Sequence, residues 1–290
     1  MGESTKARDD DCVELLQWAL PRLGLRWRGF RKVRRQVCRR IRRRMNELEE
    51  RDGLGLDGFG DYRALLETDE DEWATLERLC RVTISRFLRD REVYRRLCEE
   101  VLPELAERAA ARGARRLRAW SVGCASGEEP YSLSLGWRFG AAAVHGAPAG
   151  LWVLATDVDL TVLARARRRC YQASSLREVP ADWRERAFER RGELWCLRGE
   201  LARDVALAAC DVRAALPRGT FDLILCRNLV FTYLDEAEQV RVGRALLERL
   251  ELGGVLVVGS HETVPAELQP AGVEPFGPCV YRRRIETRPA

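Results

Sequence analysis

The stretch Ser121-Val122-Gly123-Cys124-Ala125-Ser126-Gly127-Glu128-Glu129-Pro130-Tyr131 decides the reading of this chain. Leu117 to Val122 reads as a strand, and an apolar helical segment follows from about Glu129. A glycine-bearing turn between strand and helix belongs to the carboxyl edge of an open α/β sheet, where ligands bind. Gly123 and Gly127 allow close backbone approach there. The turn is not the dinucleotide pattern G-x-G-x-x-G, because Ala125 fills the central place. A pyrophosphate also needs bare N–H donors, whereas Glu128 and Glu129 supply carboxylates. Acids at this position suit a cationic ligand, although a helix acid complementing the macrodipole accounts for one of them alone.

Moving outward, Leu151 to Ala155 reads as a second strand ending in Thr156-Asp157-Val158-Asp159, with a helix from Leu160 to Cys170. An acid such as Asp157 at a strand end can accept both hydroxyls of a ribose. Phe221 to Cys226 is a further strand, closed by Arg227 and Asn228. Glu236 to Leu250 is a helix and Gly254 to Val258 a strand. Strands alternating with helices predict a parallel sheet covered on both faces. The short pieces Leu194–Leu197 and Val205–Ala209 break the alternation and read as a small inserted β element over about 188–210. Glycine-rich turn, cation-tolerant acids and ribose acceptor together describe a site for a positively charged nucleoside, which S-adenosyl-L-methionine is.

The first third has a different grammar. In Arg26 to Glu50, Val33, Val37, Ile41 and Met45 recur every four residues and make one apolar helix face. Arginines fill most of the remaining surface. Further helices are expected over about Tyr62 to Glu67 and Asp71 to Val82, with a break near Thr83–Asp90. The predicted organisation is a helical domain over 1–82, a linker over 83–94 and an α/β domain over 95–290.

Composition limits the alternatives. The 290 residues are 46% hydrophobic and 33% charged, which is globular and not disordered throughout. No apolar run approaches the roughly 20 residues of a membrane span, and the polar, acidic segment Met1 to Cys12 does not read as a secretory signal. Net charge is +5, and Lys6 and Lys32 are the only lysines. Ten scattered cysteines without C-x-x-C spacing, with His145 and His261 the only histidines, give no zinc framework. The cysteines read as small buried hydrophobes in a reducing cytoplasm.

From about Arg26 to Arg283 the chain resembles the CheR-type methyltransferases, which esterify glutamate side chains of bacterial chemotaxis receptors using S-adenosylmethionine. The likeness rests on Trp120-Ser121 through Ser132, Ala155 to Asp159, Tyr171 with Ser175-Leu176, Phe221 to Ile224 with Cys226-Arg227-Asn228, and Gly253-Gly254, in order and spacing. It implies a Rossmann-like methyltransferase domain with a small antiparallel β insertion, behind an all-α N-terminal domain. It also implies cofactor contacts at Thr83, Ser85, Arg89, Gly123, Glu129, Asp157, Asp211, Val212, Arg227 and Asn228, and an active-site role for Arg89 and Tyr233.

The sequence departs from the family at Thr83, where Asn is usual, and at Asp211-Val212, where Asn-Leu is usual. Four residues instead of three separate Asn228 from Tyr233, and Ser260-His261 reverses the usual order. The resemblance further implies docking of an acidic helical substrate on Arg35, Arg39 and Arg42. The short stretch Phe188 to Leu194 is expected not to bind a receptor-tail pentapeptide. Two other classes stay open at this level: a non-catalytic S-adenosylmethionine-binding regulatory module, and a nucleic-acid binder using the basic helix.

Overall fold

The computed structural model describes residues 2–141 and 150–285, so His145 lies outside the described residues. The chain divides into two compact units. One takes in the chain up to Val82 together with Thr232–Glu236; the other takes in Thr83–Phe231 and the chain from Ala237 on.

The first unit is helical, with helices at Gly2–Ala19, Arg34–Asp52, Phe59–Thr68 and Glu70–Cys80. The periodic apolar face is real, since Val37, Ile41 and Met45 are buried. The helix starts later than expected, at Arg34, after a separate turn at Trp27–Phe30. Burial also sorts the arginines. Arg44 donates two hydrogen bonds to the buried carboxylate of Glu72, at 3.0 and 2.7 Å, and Tyr62 donates a third at 2.7 Å. Arg40 donates to the carbonyls of Leu79 and Arg81 at the end of the Glu70–Cys80 helix. Arg35 and Arg39 stay exposed. Arg42 does not: it is half-buried, with its guanidinium 5.1 Å from the centre of the Phe59 ring.

The second unit is built on a seven-stranded sheet. Its strands are β1 (Arg116–Val122), β2 (Gly150–Asp157), β6 (Val205–Ala209), β7 (Phe221–Leu225), β8 (Leu250–Val257), β9 (Val273–Gly277) and β10 (Val280–Arg283). Their order is β6-β2-β1-β7-β8-β10-β9, with the first five parallel and a C-terminal antiparallel hairpin. The chain moves outward from β1 through β2 to β6, then returns to place β7 on the other side of β1. That reversal is the topological switch point, where a crevice opens at the carboxyl ends of the strands. β7 is buried along its whole length, as expected for a central parallel strand covered on both faces.

A second sheet has the order β3-β5-β4, with β3 at Cys170–Tyr171, β4 at Phe188–Arg191 and β5 at Leu194–Leu197. The inserted element therefore differs from the sequence expectation. Val205–Ala209 is not part of it, but pairs with β2 from Val153↔Val205 to Asp157↔Ala209. A five-residue apolar strand looks the same in either sheet until its partner is known. The cysteine reading is also corrected. Cys170 and Cys196 are register partners across β3 and β5 and form a disulfide, and Cys12–Cys38 is a second. Each pair is 26 residues apart, so only tertiary structure brings it together.

The segment Thr83–Asp90 has no regular structure but is pinned to the second unit. Phe87 is fully buried, and its ring meets Tyr171 and Phe188 edge-on at 4.8 and 5.2 Å. Its N–H donates to the carbonyl of Ser175 at 3.0 Å, and the next N–H, from Leu88, donates to Ser132 Oγ at 2.8 Å. Truncation of a buried aromatic costs about 3–5 kcal/mol. Phe87→Ala is expected to destabilise the second unit by that amount, read from its denaturation midpoint. A loss below about 1 kcal/mol contradicts the anchoring role.

Candidate functional site

The predicted residues of the second unit gather along the carboxyl edges of adjacent parallel strands. Asp211 and Val212 follow β6, Asp157 ends β2, Gly123 follows β1, and Arg227 and Asn228 follow β7. The turn after β1 packs closely against its neighbours at its glycines. Gly123 has φ +71°, and a Cβ there would lie 2.6 Å from Leu229 Cδ2. Gly127 has φ +92°, and a Cβ would lie 2.8 Å from the Tyr131 ring. Tyr171 fastens the turn from outside, donating from its hydroxyl to the carbonyl of Ser126 at 2.8 Å.

Asp157 is oriented by the backbone. One carboxylate oxygen accepts the N–H of Ala125 at 2.9 Å and the other that of Asp159 at 2.9 Å. Ala125 itself has φ +47°, so this carboxylate holds an alanine in the left-handed region. β6 ends beside it, with the Cys210 N–H donating to the carbonyl of Asp157 at 3.1 Å. Asp211, next in the chain, caps its own turn by accepting the N–H of Arg213 at 2.9 Å and pairs with the Arg213 guanidinium at 3.4 Å.

Arg227 is the centre of the other half. Its side chain is 2% exposed and reaches Asp90 at 2.6 Å and Glu129 at 3.3 Å. It also donates to the carbonyl of Arg89 at 2.8 Å, and its guanidinium lies 5.5 Å from the centre of the Tyr94 ring. Glu129 accepts a second hydrogen bond, from Ser121 Oγ at 2.7 Å. Burial pushes the Glu129 carboxyl above its ordinary range, while Arg227 and Ser121 oppose the shift. Burial opposes the charge on Arg227, but Tyr94, Glu129 and Asp90 outweigh it and hold the guanidinium more firmly protonated than usual. Glu128 is buried too. Burial raises its carboxyl, a hydrogen bond from Ser85 works against that, and one of its oxygens lacks a partner.

The structure thus brings Arg89, Glu129 and Arg227 into one network, with Ser85 beside Glu128. Arg89 points its own guanidinium back to the carbonyl of Ile84 at 3.3 Å. Thr83 is half-buried at the start of the same segment. Tyr233 is seated among residues of the first unit: its ring meets Phe30 edge-on at 5.1 Å, and its carbonyl accepts the Arg26 N–H at 2.9 Å. Sequence reasoning missed Asp90, Tyr94 and Glu262. Asp90 closes the stretch that carries Thr83, Ser85 and Arg89 but was given no role, and Tyr94 carried no motif signal. Glu262 stands directly after Ser260-His261, and its buried carboxylate accepts the Asn228 N–H at 2.8 Å.

The arrangement fits a cationic nucleoside. The unpartnered Glu128 oxygen and the Glu129 carboxylate offer negative charge, and Asp157 offers two aligned acceptors. A family model described as "CheR methyltransferase, SAM binding domain" matches residues 83–274. The chain is 34% identical over 221 residues to a probable chemotaxis protein methyltransferase of Rhizobium etli, covering 74% of this chain and 81% of that protein. Chemotaxis protein methyltransferases of Escherichia coli and Listeria monocytogenes are 32% and 30% identical, covering 72% and 71% of this chain and 71% and 75% of theirs. This chain belongs to the CheR methyltransferase family and is an S-adenosylmethionine-dependent methyltransferase.

Proposed function

We propose that this enzyme methylates glutamate carboxylates of a chemoreceptor or a related signalling protein, through an acidic helix of that protein. The observation that supports this best is the buried Arg227–Glu129–Asp90 network, set within the family's motifs at the carboxyl edge of the sheet. Bound S-adenosylmethionine supplies an electrophilic methyl group on a sulfonium. Asp157 would take the ribose hydroxyls, and Glu129 with Glu128 would hold the cationic part. Thr83, Ser85, Asp211, Val212 and Asn228 would complete the contacts.

An acceptor glutamate is already ionised at neutral pH, its ordinary pKa lying well below 7. No general base is needed, so the chain's residues contribute position and dryness. Arg89, whose guanidinium suits a bidentate grip, would orient a carboxylate. The direct test is transfer of labelled methyl from S-adenosylmethionine into an acidic receptor helix. Label released as methanol in mild base supports a carboxyl ester, and base-stable label contradicts one.

We assign substrate docking to the exposed Arg35 and Arg39. Arg40 and Arg44 are engaged within the first unit, and Arg42 is stacked on Phe59. Tethering through a receptor-tail peptide is not part of the proposal. β5 is the central strand of its sheet, paired on both sides at Trp195 and Cys196, and the turn before it is only Gly192-Glu193. Among the described residues no helix is long and apolar enough to cross a membrane. We place the enzyme in the cytoplasm.

Two outcomes follow from these assignments. Long-range steering by exposed charge is screened by salt. Arg35→Glu with Arg39→Glu should therefore slow association with the protein substrate and flatten its salt dependence, leaving cofactor affinity intact; unchanged association at low salt contradicts the docking role. The second outcome concerns pH. Because the folded state holds the Glu129 proton more tightly than the unfolded one, the stability linked to it is present at low pH and lost as pH rises through the raised value. Cofactor binding runs the other way, since a cation needs the carboxylate ionised. S-adenosylmethionine affinity should fall on acidification while the pH is still above the ordinary glutamate value of 4.5. Glu129→Gln should bind weakly at every pH. Calorimetry showing wild-type affinity unchanged down to that value contradicts the assignment.

A further inference from the structure

Where β8 runs out, the chain folds back through Gly259 to Glu262, and the Glu262 N–H donates to the Gly259 carbonyl at 2.9 Å. This turn tucks the Glu262 carboxylate to 6% exposure. Its Oε2 accepts two backbone N–H groups, one from Gly259 at 2.6 Å and one from Asn228 at 2.8 Å. Asn228 stands in the loop after the neighbouring strand β7 with φ +55°, in the left-handed region that asparagine enters more readily than most other non-glycine residues. The fit is close. A Cβ on Gly259 would lie 2.6 Å from Asn228 Nδ2 and 2.7 Å from Glu262 Oε2.

A buried carboxylate is a costly way to close a turn. This one lies at the carboxyl edge of the sheet, and one bond it accepts crosses from the turn after β8 to the loop after β7. We propose that Glu262 is a positioning residue for cofactor binding, its carboxylate fixing Asn228 in the left-handed conformation from which Asn228 meets the cofactor. The inference rests on the reading of Asn228 as a cofactor contact.

The test is a calorimetric double-mutant cycle on the full chain with S-adenosylmethionine, run beside far-UV circular dichroism. Glu262→Ala should weaken binding by about tenfold or more, as expected when a backbone donor loses a charged acceptor. Glu262→Gln, whose amide oxygen still accepts, should stay within about threefold of wild type. Asn228→Ala should weaken binding, and adding Glu262→Ala to it should cost less than about threefold more, because both act through one contact.

If Glu262→Ala does not fold, Glu262→Asp, whose shorter arm draws back from the Asn228 N–H, carries the same expected loss. Unchanged affinity in a folded Glu262→Ala or Glu262→Asp variant, with Asn228→Ala impaired, overturns the inference alone. So does an equal loss in the Gln and Ala variants, or full additivity in the double variant. Unchanged affinity in Asn228→Ala overturns the reading of Asn228 and the inference with it.

Discussion

The site depends on one buried cation. Arg227 closes the central strand β7 with its side chain 2% exposed, so it has to be paired where it stands. Its partners come from separate stretches of chain. Asp90 and the Arg89 carbonyl belong to the segment after Val82, and Glu129 belongs to the turn and helix after β1. Removing one partner from a buried pair of this kind typically costs about 3–5 kcal/mol. The pairing therefore holds the 83–90 segment, the glycine turn and the strand end in one arrangement. Phe87 secures the same segment from its apolar side.

Backbone strain is concentrated around that network. Among the described residues, the non-glycine residues with positive φ include Leu88, Asp90, Ala125 and Asn228. Leu88 and Asp90 flank Arg89, Ala125 hangs on Asp157, and Asn228 hangs on Glu262. Residues in sparsely populated conformations persist where their surroundings over-determine them, and they cluster at functional sites. Here the over-determining groups are carboxylates and backbone donors at the carboxyl edge of one sheet. The catalytic demand matches this rigidity, because methyl transfer to an ionised carboxylate asks the protein for orientation and exclusion of water more than for proton transfer.

What the sequence made legible was local. The glycine turn, the strand-end Asp157 and the Arg227-Asn228 pair could be read because each sits where a strand stops and a helix or loop starts. Features decided by distant partners were hidden. Val205–Ala209 looked like part of the insertion until its register with β2 placed it in the main sheet. Cys170 and Cys196 looked like isolated apolar residues until β3 and β5 set them opposite one another. The arginines after Arg31 looked like one basic face, yet Glu72, two helix-end carbonyls and Phe59 engage three of them. Glu262 had no signature, because its role is a pair of hydrogen bonds to backbone.

The central claim is that the Arg227 network and the Asp157-bound turn shape the carboxyl edge of this sheet for S-adenosylmethionine. A crystal structure with S-adenosylhomocysteine tests it most directly. The account predicts ribose hydroxyls on Asp157 and the amino acid end beside Glu129. It also predicts that the Arg227 contacts to Asp90 and Glu129, and the left-handed conformations of Ala125 and Asn228, are kept as they stand here. A ligand seated away from Asp157, or an Arg227 that swings out of its pairing to admit it, would contradict the account.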